Sequence, residues 1–122
     1  MTQQRRRLGS LSEELAARFL RSQGYRIAER NVRLRRGEID IVAWDGDVLV
    51  FVEVRSRKGD RLAETLESVD WRKRRRLVAL AQAYLHRHRL DGTTCRFDVV
   101  AVTWDASGKP SVQHLPAAFE LS

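Results

Sequence analysis

The 122-residue sequence has only one cysteine, Cys95, and no long apolar run. A single cysteine excludes an intrachain disulfide and leaves no pair of cysteines for a Cys/His zinc site. No segment approaches the roughly 20 apolar residues that a membrane-spanning helix needs. Such a run is also missing after the basic start, residues 1–7, so we expect no secretory signal and a reducing, cytoplasmic location.

Internal repeats, low-complexity linkers and a metal-binding histidine spacing are also absent. The three histidines, His86, His88 and His114, are not placed as zinc ligands usually are. The length fits one domain, and an apolar content of 43% is enough for a single core. We therefore expect one domain over residues 1–122, with loosely held ends at about 1–8 and 117–122.

Lysine is scarce within a strongly basic composition. The formal net charge is +7, yet only Lys58, Lys73 and Lys109 among the 23 basic residues are lysines. A positive charge of this size favours a polyanionic partner, and nucleic acid is the first candidate. An arginine bias of this kind also arises from genomic base composition. The positions of the charges therefore matter more than their sum.

The hydrophobic pattern predicts an α/β (α+β) fold, a mixed sheet flanked by helices in the order α-β-β-β-α-β-β. Helices are predicted over 10–23 and 70–88, and strands over 25–33, 38–44, 47–54, 95–104 and 111–115. Residues 56–68 are polar and are predicted to form a loop. A break is expected within the first strand, at Asn31.

A hairpin between the second and third strands determines which side chains share a face. Asp45-Gly46 is typical of a two-residue turn, which would place Trp44 opposite Asp47. One face of this hairpin is then apolar throughout: Ile39, Ile41, Ala43, Val48, Val50, Val52 and Val54. The other face is mixed: Glu38, Asp40, Val42, Trp44, Leu49, Phe51, Glu53 and Arg55.

Asp40 and Glu53 are diagonal neighbours in this register, about 7–8 Å apart at the backbone. Two carboxylates at that separation can converge on one hard divalent cation. The alternative is an ordinary strand end whose charges form surface ion pairs. Glu13 helps to decide between a cation site and an ordinary strand end. It lies at the edge of the apolar stripe of the first helix, whereas Glu14 is expected to face solvent. If that helix covers the mixed face, Glu13 joins the other two acids.

Basic residues flank these carboxylates on both sides of the hairpin. They are Arg33, Arg35 and Arg36 on one side, and Arg55, Arg57 and Lys58 on the other. Charge of this sign suits a polyanion that approaches a metal. The run 72–76 either extends this basic patch or forms a solvated helix face. Lys73 within it is correspondingly either a phosphate contact or a solvated lysine.

Two further residue types have structural and functional interpretations. Trp44 and Trp71 could stack on unpaired bases, but tryptophans in a small domain more often pack in the core. Asp98 alternates with core positions in a predicted strand. We expect it to form a structural pair, with Arg96 or with a helix, rather than to take part in chemistry.

Several motifs together resemble the YraN-like family of small bacterial proteins, within the PD-(D/E)xK restriction-endonuclease-like superfamily. A lone D…ExK pattern is weak, but GEID followed by FVEV at this spacing is specific. The matching segments are Ser12-Glu13-Glu14-Leu15-Ala16, Gly37-Glu38-Ile39-Asp40-Ile41, Phe51-Val52-Glu53-Val54-Arg55-Ser56-Arg57, Lys73, and Arg96-Phe97-Asp98-Val99-Val100. The family is similar in fold to archaeal Holliday-junction resolvases, so the resemblance implies a restriction-endonuclease-like fold.

The resemblance also implies an activity, the metal-dependent hydrolysis of phosphodiester bonds in branched or structured DNA, with DNA favoured over RNA. It implies Asp40 and Glu53 as ligands of Mg²⁺ or Mn²⁺, helped by the Val54 carbonyl, with Glu13 as a supporting carboxylate. Arg35, Arg36, Arg57, Lys58 and Lys73 are the expected nucleic-acid contacts. Junction-cutting relatives work in pairs, so a homodimer is a further expectation.

Arg55 departs from the superfamily pattern, which usually has a lysine at this position. Lysine can hold the attacking water and, with a lowered pKa, act as a base. Arginine keeps its proton, so here it can only orient water or phosphate electrostatically. The family tolerates either residue, and activity is not excluded. Two alternatives remain open: a non-catalytic nucleic-acid-binding protein with the same fold, and a protein-interaction module that docks an acidic partner.

Overall fold

The computed structural model describes residues 3–58 and 71–119. Its elements are α1 (Gln3–Ser22), β1 (Arg26–Leu34), β2 (Gly37–Asp45), β3 (Val48–Lys58), α2 (Trp71–Arg87), β4 (Cys95–Trp104) and β5 (Pro110–Phe119). The predicted order α-β-β-β-α-β-β is confirmed. The predicted loop over 56–68 is wrong for residues 56–58, which continue β3, and residues 59–68 lie outside the described parts of the chain. α1 and β5 are longer than predicted, since they reach Gln3 and Phe119.

The strands form one mixed sheet in the order β1-β2-β3-β4-β5. Neighbouring strands are antiparallel except β3 and β4, which are parallel. A parallel pair needs a long crossover connection, and α2 lies in that connection. Among the described residues, no helix has the length and apolarity needed to cross a bilayer.

The two helices pack on opposite faces of the sheet. α1 uses Ala16, Ala17 and Leu20 to cover a face that includes Ile41, Ala43, Val50 and Val52. α2 uses Leu77, Leu80, Ala81, Tyr84 and Leu85 to cover a face that includes Val42, Leu49, Phe51 and Phe97. The mixed face predicted for the hairpin is therefore covered by α2, whereas α1 lies on the apolar face.

The turn between β2 and β3 lies one residue later than predicted. Asp45 pairs with Val48, so the two turn residues are Gly46 and Asp47. Gly46 has a φ of 60° and takes the first central position, which in this class of hairpin turn favours glycine. The correction moves every cross-strand partner by two residues, and a shift of two residues does not by itself move a side chain to the other face. It also makes Glu53, rather than Phe51, the residue opposite Asp40.

The alternation of faces breaks where Asn31 and Asp40 lie opposite each other. Asn31 has a left-handed φ of 53°, which asparagine adopts more readily than most residues. Ile41 belongs to the core beneath α1, but Ile39, two residues earlier, belongs to the core beneath α2. The predicted common face of Ile39 and Ile41 is therefore wrong, because both strands rotate locally at this pair.

Candidate metal and nucleic-acid site

Asp40 lies where β2 and β3 separate. The paired part of this hairpin ends at Ile41 and Val52, so Asp40 and Glu53 are the next residues along the two strands. The Val54 amide donates a hydrogen bond to Asp40 Oδ2 over 2.8 Å. The carboxylate thus takes the place of a backbone acceptor and occupies the gap between the strands.

The surroundings of Asp40 disfavour its negative charge. Burial, followed by the charge of Glu53, raises the pKa of Asp40 to about 7, although the Val54 hydrogen bond lowers it. The charges of Glu13 and Glu38 also raise this pKa. Three acids, Glu53, Glu13 and Glu38, therefore repel one partly buried carboxylate, that of Asp40. A divalent cation would relieve this repulsion.

Glu13 reaches this group from α1, and Asn31 links it to Glu38. With its nitrogen turned toward the carboxylates, the Asn31 amide lies 2.7 Å from Glu13 Oε1 and 2.9 Å from Glu38 Oε1. Burial raises the pKa of Glu13, the charge of Arg30 lowers it, and Glu38 raises it. Glu14 instead accepts a hydrogen bond from Arg30 over 2.8 Å. Glu13, rather than Glu14, is therefore the α1 acid whose charge acts on Asp40.

Glu53 lies beneath α2, between two cationic side chains. Lys73 Nζ is 2.9 Å from Glu53 Oε1, and Arg55 Nε is 3.6 Å from the same oxygen. The three side chains are only 12–21% exposed. Of the two interpretations left open for Lys73, the solvated one is wrong, because this lysine is 21% exposed and pairs with Glu53. Arg55 Nε finds no hydrogen-bond acceptor among the described residues.

The donor set fits a hard divalent cation in type, although the acids are not yet gathered around one point. Within residues 3–58 and 71–119, no three Asp, Glu, His or Cys side chains are close enough to hold a metal. Mg²⁺ and Mn²⁺ prefer oxygen ligands, and Mg²⁺ commonly keeps several waters and takes only one or two carboxylates. Asp40 and Glu53 supply that number, with the Val54 carbonyl as a further oxygen. A metal at Glu53 would compete with Lys73 for this carboxylate.

Exposed basic side chains surround the acids on three elements. They are Arg33, Arg35 and Arg36 at the β1–β2 turn, Arg57 and Lys58 at the end of β3, and Arg72, Arg74, Arg75 and Arg76 on α2. The turn and α2 are in contact, because a Cβ on Gly37 would lie 3.3 Å from Leu80 Cδ1.

Asp98 has the structural role that the sequence predicts for it. Its oxygens accept hydrogen bonds from Arg96 Nε at 2.9 Å, Tyr25 Oη at 3.1 Å and the Ala117 amide at 2.9 Å, and they lie 2.7 Å from His114 Nε2. Burial alone would raise the pKa of Asp98, but these contacts lower it to about 2. The expected pair with Arg96 is confirmed.

A second polar cluster beside the acids was not predicted from the sequence. Trp104 Nε1 donates to Ser12 Oγ over 3.1 Å and to Ser56 Oγ over 3.2 Å, and Ser12 donates to Ser56 over 2.8 Å. Ser12 precedes Glu13 and Ser56 follows Arg55, so this cluster fixes α1 against β3 at the site. Isolated serines give no sequence signal for such a contact.

The two other tryptophans take no part in this cluster. Trp44 packs at the edge of the core beneath α2, which supports the structural interpretation of that residue. The side chain of Trp71 lies outside the described part of the chain.

Comparison with known proteins identifies the relatives of this chain. Residues 12–102 match the sequence model of the uncharacterised protein family UPF0102. A UPF0102 protein of Moorella thermoacetica is 53% identical over 120 residues, which cover 98% of this chain and all of the relative. A UPF0102 protein of Pelotomaculum thermopropionicum is 47% identical with the same coverage. The matched range contains every acid of the site.

Proposed function

This chain belongs to the uncharacterised protein family UPF0102, and we propose that it is a metal-dependent nuclease that hydrolyses phosphodiester bonds in branched or structured DNA. The observation that carries this proposal is the position of Asp40. Its carboxylate lies in the gap where two strands separate, Glu53 is the next residue of β3 beyond the last pair, and basic side chains line the same end of the sheet. The resemblance to PD-(D/E)xK nucleases supports the same function.

The metal supplies the chemistry in this proposal. A bound Mg²⁺ or Mn²⁺ provides a Lewis acid and lowers the pKa of a coordinated water. Asp40 and Glu53 hold the ion with the Val54 carbonyl. Glu13 supports Asp40 from α1, since the Asn31 amide holds its carboxylate in place.

The basic residues have two different tasks. Arg55 lies beside Glu53 and keeps its proton, so it orients the attacking water or the scissile phosphate electrostatically. Arg35, Arg36, Arg57 and Lys58 are exposed and bind the DNA backbone, which makes affinity salt-dependent. A four-way junction has two-fold symmetry, and we propose that two copies of the chain act on it.

A cleavage assay tests the proposal directly. The purified protein is incubated with labelled flap, four-way junction and duplex DNA, with Mg²⁺, Mn²⁺ or a chelator. We expect metal-dependent cleavage of the branched substrates, lost in Asp40→Ala and Glu53→Ala. Asp105→Ala, which removes an exposed acid from the β4–β5 turn, is the matched control. Cleavage that persists in both site variants would mean a contaminant or a different site.

A second function is favoured by Arg55. Because arginine cannot act as a base, the same fold could bind nucleic acid without cleaving it. Such a protein would bind DNA in a chelator, with an affinity that falls steeply with salt. Loss of binding when divalent ions are removed would count against this alternative.

A further inference from the structure

Lys73 occupies the position of a counter-ion at the proposed metal site. Its ammonium lies 2.9 Å from Glu53 Oε1, closer than Arg55 Nε at 3.6 Å. Lys73 stands on α2, whereas Glu53 stands on β3, so this pair joins a helix to the centre of the sheet. The neighbours of Lys73 in sequence, Arg72 and Arg74, are exposed.

A divalent cation and this ammonium compete for the same carboxylate. Both need an oxygen of Glu53, and two positive charges within a few ångströms repel each other where water is scarce. The Glu53 and Lys73 side chains are 12% and 21% exposed, so solvent screens this repulsion only in part. A metal bound to Glu53 therefore displaces Lys73 from that oxygen.

The displaced ammonium stands on α2 beside the exposed arginines Arg72, Arg74, Arg75 and Arg76, so it adds to a surface of positive charge. The anion that the basic surface attracts is the phosphate of a nucleic acid.

We propose that Lys73 exchanges Glu53 for a nucleic-acid phosphate when a divalent cation binds, so that metal and DNA strengthen each other's binding. The lysine is a positioning residue that couples the two sites, and it is not a metal ligand. This inference rests on the proposed function, because it assumes that Glu53 binds a metal. By linkage, the factor by which metal raises DNA affinity equals the factor by which DNA raises metal affinity.

Metal affinity without DNA tests the first half of the exchange. Mn²⁺ binding is measured by electron paramagnetic resonance for the wild type, Lys73→Met, Lys73→Arg and Arg72→Met. We expect Lys73→Met to raise Mn²⁺ affinity by about tenfold, the order by which one neighbouring charge shifts a binding equilibrium. Lys73→Arg keeps the charge and Arg72→Met removes an exposed one, so both should stay within about threefold of the wild type.

DNA affinity with and without metal tests the second half. Fluorescence anisotropy measures junction DNA binding in chelator and in Ca²⁺, which binds to oxygen ligands. We expect Ca²⁺ to raise the affinity of the wild type and of Arg72→Met by at least about fivefold, and that of Lys73→Met by less than about twofold. The wild type alone gives a further readout. Ca²⁺ should make the slope of log DNA affinity against log salt concentration steeper by about 0.9, the value for one added phosphate contact.

The outcomes separate this inference from the function on which it rests. If neither the wild type nor Lys73→Met binds Mn²⁺, both the metal site and the exchange are wrong. If the wild type binds Mn²⁺ and Lys73→Met binds it no more tightly than Arg72→Met does, the exchange is wrong and the metal site remains. If the salt slope of the wild type is the same in chelator and in Ca²⁺, the exchange is also wrong. This measurement does not depend on whether a variant folds.

Discussion

The Val54 amide donates to Asp40 Oδ2 over 2.8 Å, so one oxygen of the central acid completes the backbone hydrogen bonding between β2 and β3. Because the same carboxylate is surrounded by Glu13, Glu38 and Glu53, its position costs stability when no cation is bound. Residues kept at such a cost are typical of functional sites.

Asp40→Asn should stabilise the metal-free protein. Asparagine still offers an oxygen to the Val54 amide, but it removes the charge that Glu53, Glu13 and Glu38 repel. We expect the free energy of unfolding to rise by about 1 kcal/mol, as measured by urea denaturation in a chelator. Metal binding by this variant should be lost.

Asp105→Asn is the matched control for that prediction. Asp105 Oδ1 accepts hydrogen bonds from the Ser107 amide, the Ser107 hydroxyl and the Lys109 amide. The same substitution there should leave stability unchanged or lower it. If Asp40→Asn, like Asp105→Asn, does not raise the free energy of unfolding above that of the wild type, the acids around Asp40 do not repel it.

The backbone conformation of Asn31 should contribute to stability, and its side chain should contribute to Mn²⁺ binding. Asn31→Gly keeps access to the left-handed φ of 53° but loses the amide that bridges Glu13 and Glu38. Asn31→Ala loses both, so it should be less stable than Asn31→Gly by about 1 kcal/mol. Both variants should weaken Mn²⁺ binding to a similar extent, because both release Glu13. If they are equally stable, the left-handed backbone does not hold the strands in place.

Trp104→Phe should loosen α1 at the site. The phenyl ring keeps an aromatic group in the core but removes the N–H that serves Ser12 and Ser56, which costs about 1–3 kcal/mol when buried acceptors lose a donor. We also expect weaker Mn²⁺ binding, because Glu13 follows Ser12. Trp44→Phe is the control, since Trp44 lies at the edge of the other core. Equal effects of the two substitutions on Mn²⁺ binding would show that the indole N–H has no special role.

Asp98 should make the protein sensitive to acid. Its pKa in the folded state, about 2, lies below the ordinary value of 3.8, so the folded state favours the charged form. The corresponding stability, about 2 kcal/mol, is fully present above about pH 4 and is lost as the pH falls toward 2. Urea denaturation between pH 2 and 6 measures this loss. In Asp98→Asn that part of the pH dependence should disappear, and an unchanged profile would contradict the assignment.

The alternation of side chains made the faces of the hairpin predictable from the sequence. The turn at Gly46 lies one residue later than the pattern indicated, but this shift leaves the faces unchanged, because moving the turn by one residue moves each partner by two. The alternation of side chains did not predict the face of Ile39 correctly. The strands rotate where Asn31 lies opposite Asp40, and the sequence pattern does not predict the left-handed φ of Asn31. Which helix covers which face also depends on the tertiary connections and not on local periodicity.

The acids of the site were easier to predict than their partners. Glu13, Asp40 and Glu53 stand out because charged residues interrupt apolar patterns at fixed spacing. The pair between Lys73 and Glu53 joins residues 20 positions apart on different elements, so no local pattern predicts it. The hydrogen bond from the Trp104 indole to Ser12 also joins residues that lie far apart in the sequence, so no local pattern predicts it either.

The most direct test of the metal site is a crystal structure of the protein soaked with Mn²⁺, whose anomalous scattering locates the ion. We expect one ion in contact with Asp40, Glu53 and the Val54 carbonyl, with Lys73 moved away from Glu53. An ion bound elsewhere, or no ion at saturating Mn²⁺ with Lys73 still on Glu53, would contradict the proposed site.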